Sequence, residues 1–363
     1  MPKLLTPGPV EVPRPVLEAM LRAPKYHRDR EFREFFSRLR EKLLKLSRGA
    51  AEVAVLAGSG TTAVDASVWS LIERGERVLA LVWGEFGERM LDSAIRRGAI
   101  VDVMRAPAGS VVDESSVLEK LESGLYSSLI LVHNESSTGV VYSQLETLAR
   151  RSRDLGVKVI VDSVSGFAGA RIENSWGITA IATSSQKALA APPGVGLVFL
   201  SEEGVGEVEK KGRSAPPMLD LSMYVEYSRR VSETPFTPAL PILSALDAAV
   251  DLVLSAGLER YIEEHYRRAG FLYERLAEAG LEPLPESPSI RSPTITAFKT
   301  PIDSKIVVES VLKRGYKIAQ GMREFKDKIV RIGVMGDVTL SDLEVVASTI
   351  AEVVAGRGLR GSE

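Results

Sequence analysis

Lys187 sits at the centre of Ala182 to Gly194, ATSSQKALAAPPG, between the apolar runs Ile178 to Ala182 and Val195 to Leu200. That spacing places it on a tight connection between two buried strands. An ammonium is costly to bury, so a lysine there is either paired or deprotonated and used as a nucleophile or Schiff-base former. Ser184, Ser185 and Gln186 supply hydrogen-bonding groups just before it, and Pro192, Pro193 and Gly194 stiffen the turn behind it. Asp162 is the second unusual group. It ends the apolar run Val157 to Val161 within VIVDSVSG, and an acid at that depth stays charged only beside a cation or strong donors.

A third stretch, Gly58-Ser59-Gly60-Thr61-Thr62, follows the apolar run Val53 to Ala57 and opens a helix. Free amides at a helix start, with Ser and Thr hydroxyls and glycines that let a ligand approach, form a phosphate site. Gly58, Gly60 and Ala63 also fit the G-x-G-x-x-A dinucleotide pattern, with Glu85 near the place of a ribose-binding acid. A nicotinamide-dependent oxidoreductase is therefore an alternative at this point, although it gives Lys187 and Asp162 no role. Trp83-Gly84-Glu85-Phe86-Gly87 sets an aromatic between glycines, suited to stacking on a planar ligand, and His133-Asn134-Glu135-Ser136-Ser137-Thr138-Gly139 puts polar residues where a buried strand ends. Phosphate loop, aromatic, polar loop, deep acid and turn lysine together describe a site for a phosphorylated, protonated aromatic aldehyde, pyridoxal 5'-phosphate. The lysine would hold the aldehyde carbon, the acid would keep the ring nitrogen protonated, and the loop and aromatic would hold phosphate and plane.

These residues need one sheet edge to bring them together. From Glu52 the chain alternates apolar runs with helical ones: Val53 to Ala57, Val78 to Trp83, Ile100 to Met104, Leu129 to Val132 and Val157 to Val161. Such alternation predicts an α/β fold with a mainly parallel sheet, and ligands of open sheets sit at the carboxyl ends of the strands. Ahead of it, Thr6-Pro7-Gly8-Pro9 makes a stiff extended arm, and Phe32, Phe35, Phe36, Leu39, Leu43 and Leu46 recur at helical spacing as core or subunit contact. After Asp251, helical segments (Leu258 to about Ala279, Asp303 to Arg314, Ser341 to Ala355) alternate with strand-like Thr294 to Phe298 and Lys328 to Ile332, and Gly356 to Glu363 reads as a frayed tail.

At 363 residues the chain has room for two domains. Its net charge of −2 provides no general field for nucleic acid or an anionic membrane. The amino terminus lacks a signal-peptide core and no run approaches the roughly 20 apolar residues of a spanning helix, so a cytoplasmic location is expected. With no cysteine, and only His27, His133 and His265, thiolate chemistry is excluded and no metal site is expected.

The blocks TPGP, AGSGTTAVDA, HNESSTGV, VDSVSG, SSQKALAAPPG, TPALPILSAL and VRIGVMG resemble, over nearly the whole chain, the class V, fold type I aminotransferases of the alanine-glyoxylate and serine-pyruvate group. The resemblance implies an arm (1–12), a large cofactor-binding domain with a mainly parallel seven-stranded sheet (13–255) and a smaller α/β carboxy-terminal domain (256–363). It implies that Lys187 holds the cofactor and moves the substrate proton, that Asp162 pairs with the ring nitrogen and that Phe86 stacks on the ring. Ser59, Gly60 and Thr61 match the phosphate loop, while Ser136 and Gln186 match contacts to the phenolic oxygen or phosphate. Thr237 matches a residue that reaches the phosphate of the neighbouring subunit, implying a homodimer with shared sites. Thr234 replaces a tyrosine found in many relatives. Arg331 matches the arginine that grips the α-carboxylate, with Gly8 beside the substrate. The implied reaction carries the amino group of alanine or serine to a 2-oxo acid such as glyoxylate or pyruvate through a pyridoxamine form. Tyr26-His27-Arg28 resembles a phosphate-binding pair of phosphoserine aminotransferases. If Arg28 enters the site, phosphoserine, aspartate or 2-aminoethylphosphonate becomes the alternative substrate.

Overall fold

A computed structural model describes residues 1–24 and 26–356; the tail expected from Gly356 onward lies, beyond that glycine, outside them. The alternating apolar runs form β1 (Glu52–Gly58), β2 (Arg77–Val82), β3 (Ile100–Arg105), β4 (Ser128–Val132), β5 (Lys158–Asp162), β6 (Ala180–Ser184) and β7 (Gly194–Leu200). They make one seven-stranded sheet in the order β1-β7-β6-β5-β4-β2-β3. Only β7 runs against its neighbours; the remaining pairs are parallel. Strands β4, β5 and β6 are buried at every residue, as expected of a parallel sheet covered on both faces. The chain leaves β2 for β3 on one side and returns to β4 on the other, so the crevice for a ligand opens at the carboxyl ends of these strands.

Helix α1 (Arg30–Ser47) is capped by Asp29, whose carboxylate accepts from the Phe32 amide at 2.8 Å, and it buries Phe32, Phe36, Leu39, Leu43 and Leu46. The aromatic stripe is therefore core, with Phe35 packed at its margin. Helix α2 (Gly60–Leu71) follows β1, and α3 (Glu85–Arg97) follows β2. Further on, α4 (Leu240–Ala256) and α5 (Leu258–Glu278) meet at Gly257 with a bend of 90°. Beyond α5 come β8 (Ile295–Lys299), α6 (Ser304–Lys313), β9 (Ala319–Gln320), β10 (Ile329–Gly333) and α7 (Leu340–Val354). These three strands form an antiparallel sheet, β8-β10-β9. A separate apolar cluster joins it to α5, α6 and α7 and includes Leu5 from the amino-terminal arm.

The arm is tied to this second layer. Lys3–Leu4 pairs in parallel with Tyr316–Lys317, and Lys3 Nζ lies 2.7 Å from Asp342. The arm thus belongs with the late part of the chain while its Pro7-Gly8 segment passes over the end of the seven-stranded sheet. No single helix among the described residues is long and apolar enough to cross a membrane.

Candidate active site

At the carboxyl ends of the strands, a cavity of about 630 Å³ is lined by Ser59, Gly60, Thr61, Phe86, Asp162, Gln186, Lys187 and Arg323, among others. An adjoining cavity of about 510 Å³ is lined by Pro7, Gly8, Phe86, Ser136, Lys187, Met322 and Arg331. Phe86 and Lys187 belong to both, so the two form one cleft. The fold has gathered nine of the residues singled out in the sequence; a tenth, Gly8, comes from the distant arm.

Lys187 lies on the turn between β6 and β7. That turn is fixed by backbone bonds from Ala190 N to Lys187 O and from Ala191 N to Ser185 O, and by Ser185 Oγ donating to Pro192 O at 2.7 Å. Tyr261 on α5 adds a hydrogen bond from its hydroxyl to Ala188 O at 2.7 Å, a brace that the sequence did not disclose. Lys187 Nζ donates to Pro7 O at 2.7 Å. A Cβ on Gly8 would stand 2.5 Å from that amine, and Gly8 has φ +130°, so only glycine lets the arm come this close. Burial lowers the Lys187 pKa to about 8; nearby Asp162 opposes the shift and Arg331 adds to it.

Asp162 ends β5, 5% exposed, and one oxygen accepts from Val164 N at 2.8 Å. Burial raises its pKa to about 7; the Val164 amide, Lys187 and Arg89 pull it down, and Glu135 pushes it further up. The strong donors expected for an acid at this depth are therefore reduced to one amide. A cation placed against this carboxyl would restore its charge.

Ser59, Gly60 and Thr61 form the first turn of α2. Thr62 Oγ1 takes the Ser59 amide at 3.2 Å, while the following amides have no upstream helical carbonyl and face the cavity as an anion site. Gly60 is needed because a Cβ there would lie 2.6 Å from Val164, the residue that holds Asp162. Ser136 Oγ donates to Ser165 Oγ at 2.9 Å, and Ser136 O accepts from Arg331 Nη1 at 3.0 Å. Arg331, on β10, also donates from Nε to Gln320 O at 2.9 Å. Its partners are thus two carbonyls, and no carboxylate pairs with it among the described residues. Burial lowers its pKa to about 10, with Glu135 opposing the shift.

Glu135 had no assigned role in the sequence. It is fully buried, and its carboxylate accepts from Phe86 N at 3.0 Å and Gly87 N at 3.1 Å. The other oxygen accepts from Ser137 N and Ser137 Oγ. It therefore caps α3 and fixes the backbone that carries Phe86. The signal was an acid inside a polar run; its target, the amide end of another helix, was not local. His133 is also structural: its Nδ1 lies 3.0 Å from Ser163 Oγ, and burial lowers its pKa to about 3, so the ring is neutral.

Two expectations, those for Arg28 and Glu85, need correction. Arg28 does not line the cleft. Its guanidinium donates to Glu233, to Thr234 O at 2.7 Å and to Pro235 O at 2.9 Å, and it lies over the Tyr227 ring. Held by these three bonds, it braces the 233–235 turn and stands outside the cleft of its own chain. Thr237, at the end of that turn, is exposed and outside the cleft of its own chain, with Oγ1 3.4 Å from His27 Nε2. Glu85, considered for a ribose, instead pairs with Arg323 at 2.5 Å.

The electrostatics give a direct expectation. Reactivity of the Lys187 amine should rise as pH climbs through about 8, because only the deprotonated amine is nucleophilic. Asp162→Asn should move this midpoint down and Arg331→Gln should move it up, since the first removes a charge that raises the pKa and the second one that lowers it. Amine modification of the purified chain across pH, read by mass spectrometry at Lys187, measures it; a midpoint that neither substitution moves would contradict this picture.

Comparison with known proteins bears on the same geometry. The family model described as Aminotransferase class-V matches residues 11–345. An uncharacterized aminotransferase of Methanocaldococcus jannaschii is 33% identical, covering 92% of this chain and 87% of its own. The alanine–glyoxylate aminotransferase of Oryctolagus cuniculus is 30% identical, covering 97% and 92%. Among solved structures, an aspartate aminotransferase of subgroup IV from Thermus thermophilus superposes with TM-score 0.88 at 32% identity, covering 98% of this chain and 99% of that one.

Proposed function

The chain belongs to the class V aminotransferases, and from that premise we propose that it moves the amino group of a small amino acid, alanine or serine, to a 2-oxo acid such as glyoxylate or pyruvate, with pyridoxal 5'-phosphate as cofactor. The observation that carries the reading is a buried arginine, Arg331, bound to two carbonyls and to no carboxylate among the described residues, facing the same cleft as a lysine of depressed pKa. A buried guanidinium bound only to carbonyls calls for an anionic ligand, and a substrate carboxylate fits its planar fork. The similarity to the rabbit alanine–glyoxylate enzyme supports the small donor.

The residues present fit the cofactor. The amides of Gly60 and Thr61 and the hydroxyls of Ser59 and Thr61 suit its phosphate, the Phe86 ring suits its plane, and Asp162 suits its protonated nitrogen. Gln186 and Ser136 supply polar contacts beside Lys187. When bound, the group supplies an electron sink for the substrate Cα. The protein supplies the rest. Arg331 orients the α-carboxylate, and the Lys187 amine carries the proton, its pKa near 8 letting it both accept and release at neutral pH. The cis-acting wall of Pro7 and Gly8 confines that amine within the cleft. The test is the absorbance spectrum of the purified protein with cofactor, followed on single additions of alanine, serine, aspartate, phosphoserine and 2-aminoethylphosphonate. Bleaching by alanine or serine supports the reading; a protein that takes up no cofactor, or that no donor bleaches, sinks it.

The reading includes a homodimer in which Thr237 serves the partner's cleft, supported by its exposure and by the Arg28 brace behind it. Lys187→Ala and Thr237→Ala chains, each impaired alone, should then regain activity when mixed and refolded, because one of the two hybrid sites carries both native residues. An active monomer in sedimentation, or no regain on mixing, would oppose it. Membership of the aminotransferase family removes the nicotinamide reading of Gly58 to Ala63. We retain the division at 255/256 and the cytoplasmic location as part of this proposal.

A further inference from the structure

We propose that Arg323 is a specificity-determining residue that binds the distal carboxylate of a dicarboxylic amino acid or 2-oxo acid whose α-carboxylate lies on Arg331, so that one of the two substrates of this enzyme is a diacid. The inference rests on the aminotransferase reading and deepens it. An aminotransferase admits two substrates to one cleft in turn, and a second cation at the right end of that cleft decides whether one of them carries a second acid.

The cleft has such a cation. Arg331 lines it on the side of Pro7, Gly8 and Ser136, and Arg323 lines it on the side of Phe86 and Asp162. Both are positioned by one short segment. Gln320 supplies the carbonyl that holds Arg331 Nε, Met322 lines the cavity with Arg331, and Arg323 follows. The segment is rigid: Gly321 N donates to Ile329 O, Phe325 N to Met322 O and Lys326 N to Arg323 O. A Cβ on Gly321 would lie 2.0 Å from Phe325 O, and Arg323 itself has φ +46°, a left-handed conformation that a non-glycine residue holds at a cost and that clusters at ligand clamps.

The pairing of Arg323 is of the exchangeable kind. Among the described residues its acid partner is Glu85, at 2.5 Å, and its side chain is 70% exposed against 16% for Glu85. An ion pair with one member so exposed contributes little to stability, and a substrate carboxylate can take the place of Glu85 without leaving either cation unpaired. With a monoacid in the cleft the guanidinium rests on Glu85, so the same site serves a small amino acid. Arg28, which the sequence marked for a second anion, has no such freedom because Glu233, Thr234 O and Pro235 O hold it.

The experiment uses the cofactor-loaded enzyme and measures KM and kcat for aspartate, 2-oxoglutarate, alanine and glyoxylate in the wild type and in Arg323→Gln, Arg323→Lys and Glu85→Gln. Loss of one charged hydrogen bond to the distal acid should raise KM for the diacids about tenfold to a hundredfold, with alanine and glyoxylate within about twofold and Arg323→Lys recovering part of the loss. Glu85→Gln should act in the opposite direction and lower the diacid KM, because it frees Arg323. A merely structural bridge predicts that Arg323→Gln and Glu85→Gln behave alike, and that result overturns the proposal. So does an equal rise in KM for alanine and aspartate, or a wild type that turns over monoacids and no diacid. A wild type inactive with every donor would instead overturn the aminotransferase reading beneath it.

Discussion

Lys187→Ala should leave a folded protein whose turnover falls by at least about 10⁴-fold, the upper range for a positioned proton carrier, and which shows no borohydride-reducible cofactor linkage. The amine lines both parts of the cleft, and burial lowers its pKa to about 8, with Asp162 opposing that shift and Arg331 adding to it. Stability should not suffer. Burial opposes the charged form of this side chain, and its hydrogen bond to Pro7 O joins it to the arm. Thermal melting of the variant should therefore lie within a few degrees of the wild type. A reducible linkage that survives in the variant would remove Lys187 from the centre of the site.

Asp162→Asn should be the next most damaging change. The carboxyl receives one amide donor, and burial lifts its pKa to about 7. Under the proposed function, a ligand cation, the protonated ring nitrogen, would hold this carboxyl in its charged form. Removing one member of a buried charge pair costs about 2–5 kcal/mol, or about 30- to 5000-fold in rate. The pH profile gives the sharper reading. Below the pKa of Asp162 the wild type should lose activity as the carboxyl takes up a proton; a ligand cation shifts that limb to lower pH. The Asn variant, with nothing to protonate there, should be low throughout and lack the acid limb attributable to this group. If it retained both the rate and the limb, Asp162 would be a structural acid.

The strands and the central residues were legible because their signals are local. An apolar run ending in Asp162, and a lysine between two such runs, describe positions at strand ends whatever the rest of the chain does. The seven strands accordingly fall within about two residues of the apolar runs read from the sequence. Arg28 and Arg323 show where local signals stop. Arg28 stood beside a histidine in a recognisable motif, yet its guanidinium belongs to a turn more than 200 residues away in the chain. Arg323 carried no motif, yet the antiparallel return of β10 beside β9 sets its segment against Phe86 and Lys187.

What the sequence by itself determined is the order of elements and the identity of the groups that end the strands, because alternation of apolar and helical segments and the parallel-sheet rule fix both. Only the tertiary structure decided which charges are paired. Glu135 closes the amide end of α3, Pro7 O meets the Lys187 amine, Glu233 occupies Arg28, and Arg331 reaches carbonyls alone. Apart from the bond of Arg331 to Gln320, these contacts join residues far apart in the chain, and the charge state of a buried group depends on the partner that packing brings to it and on how much water packing removes.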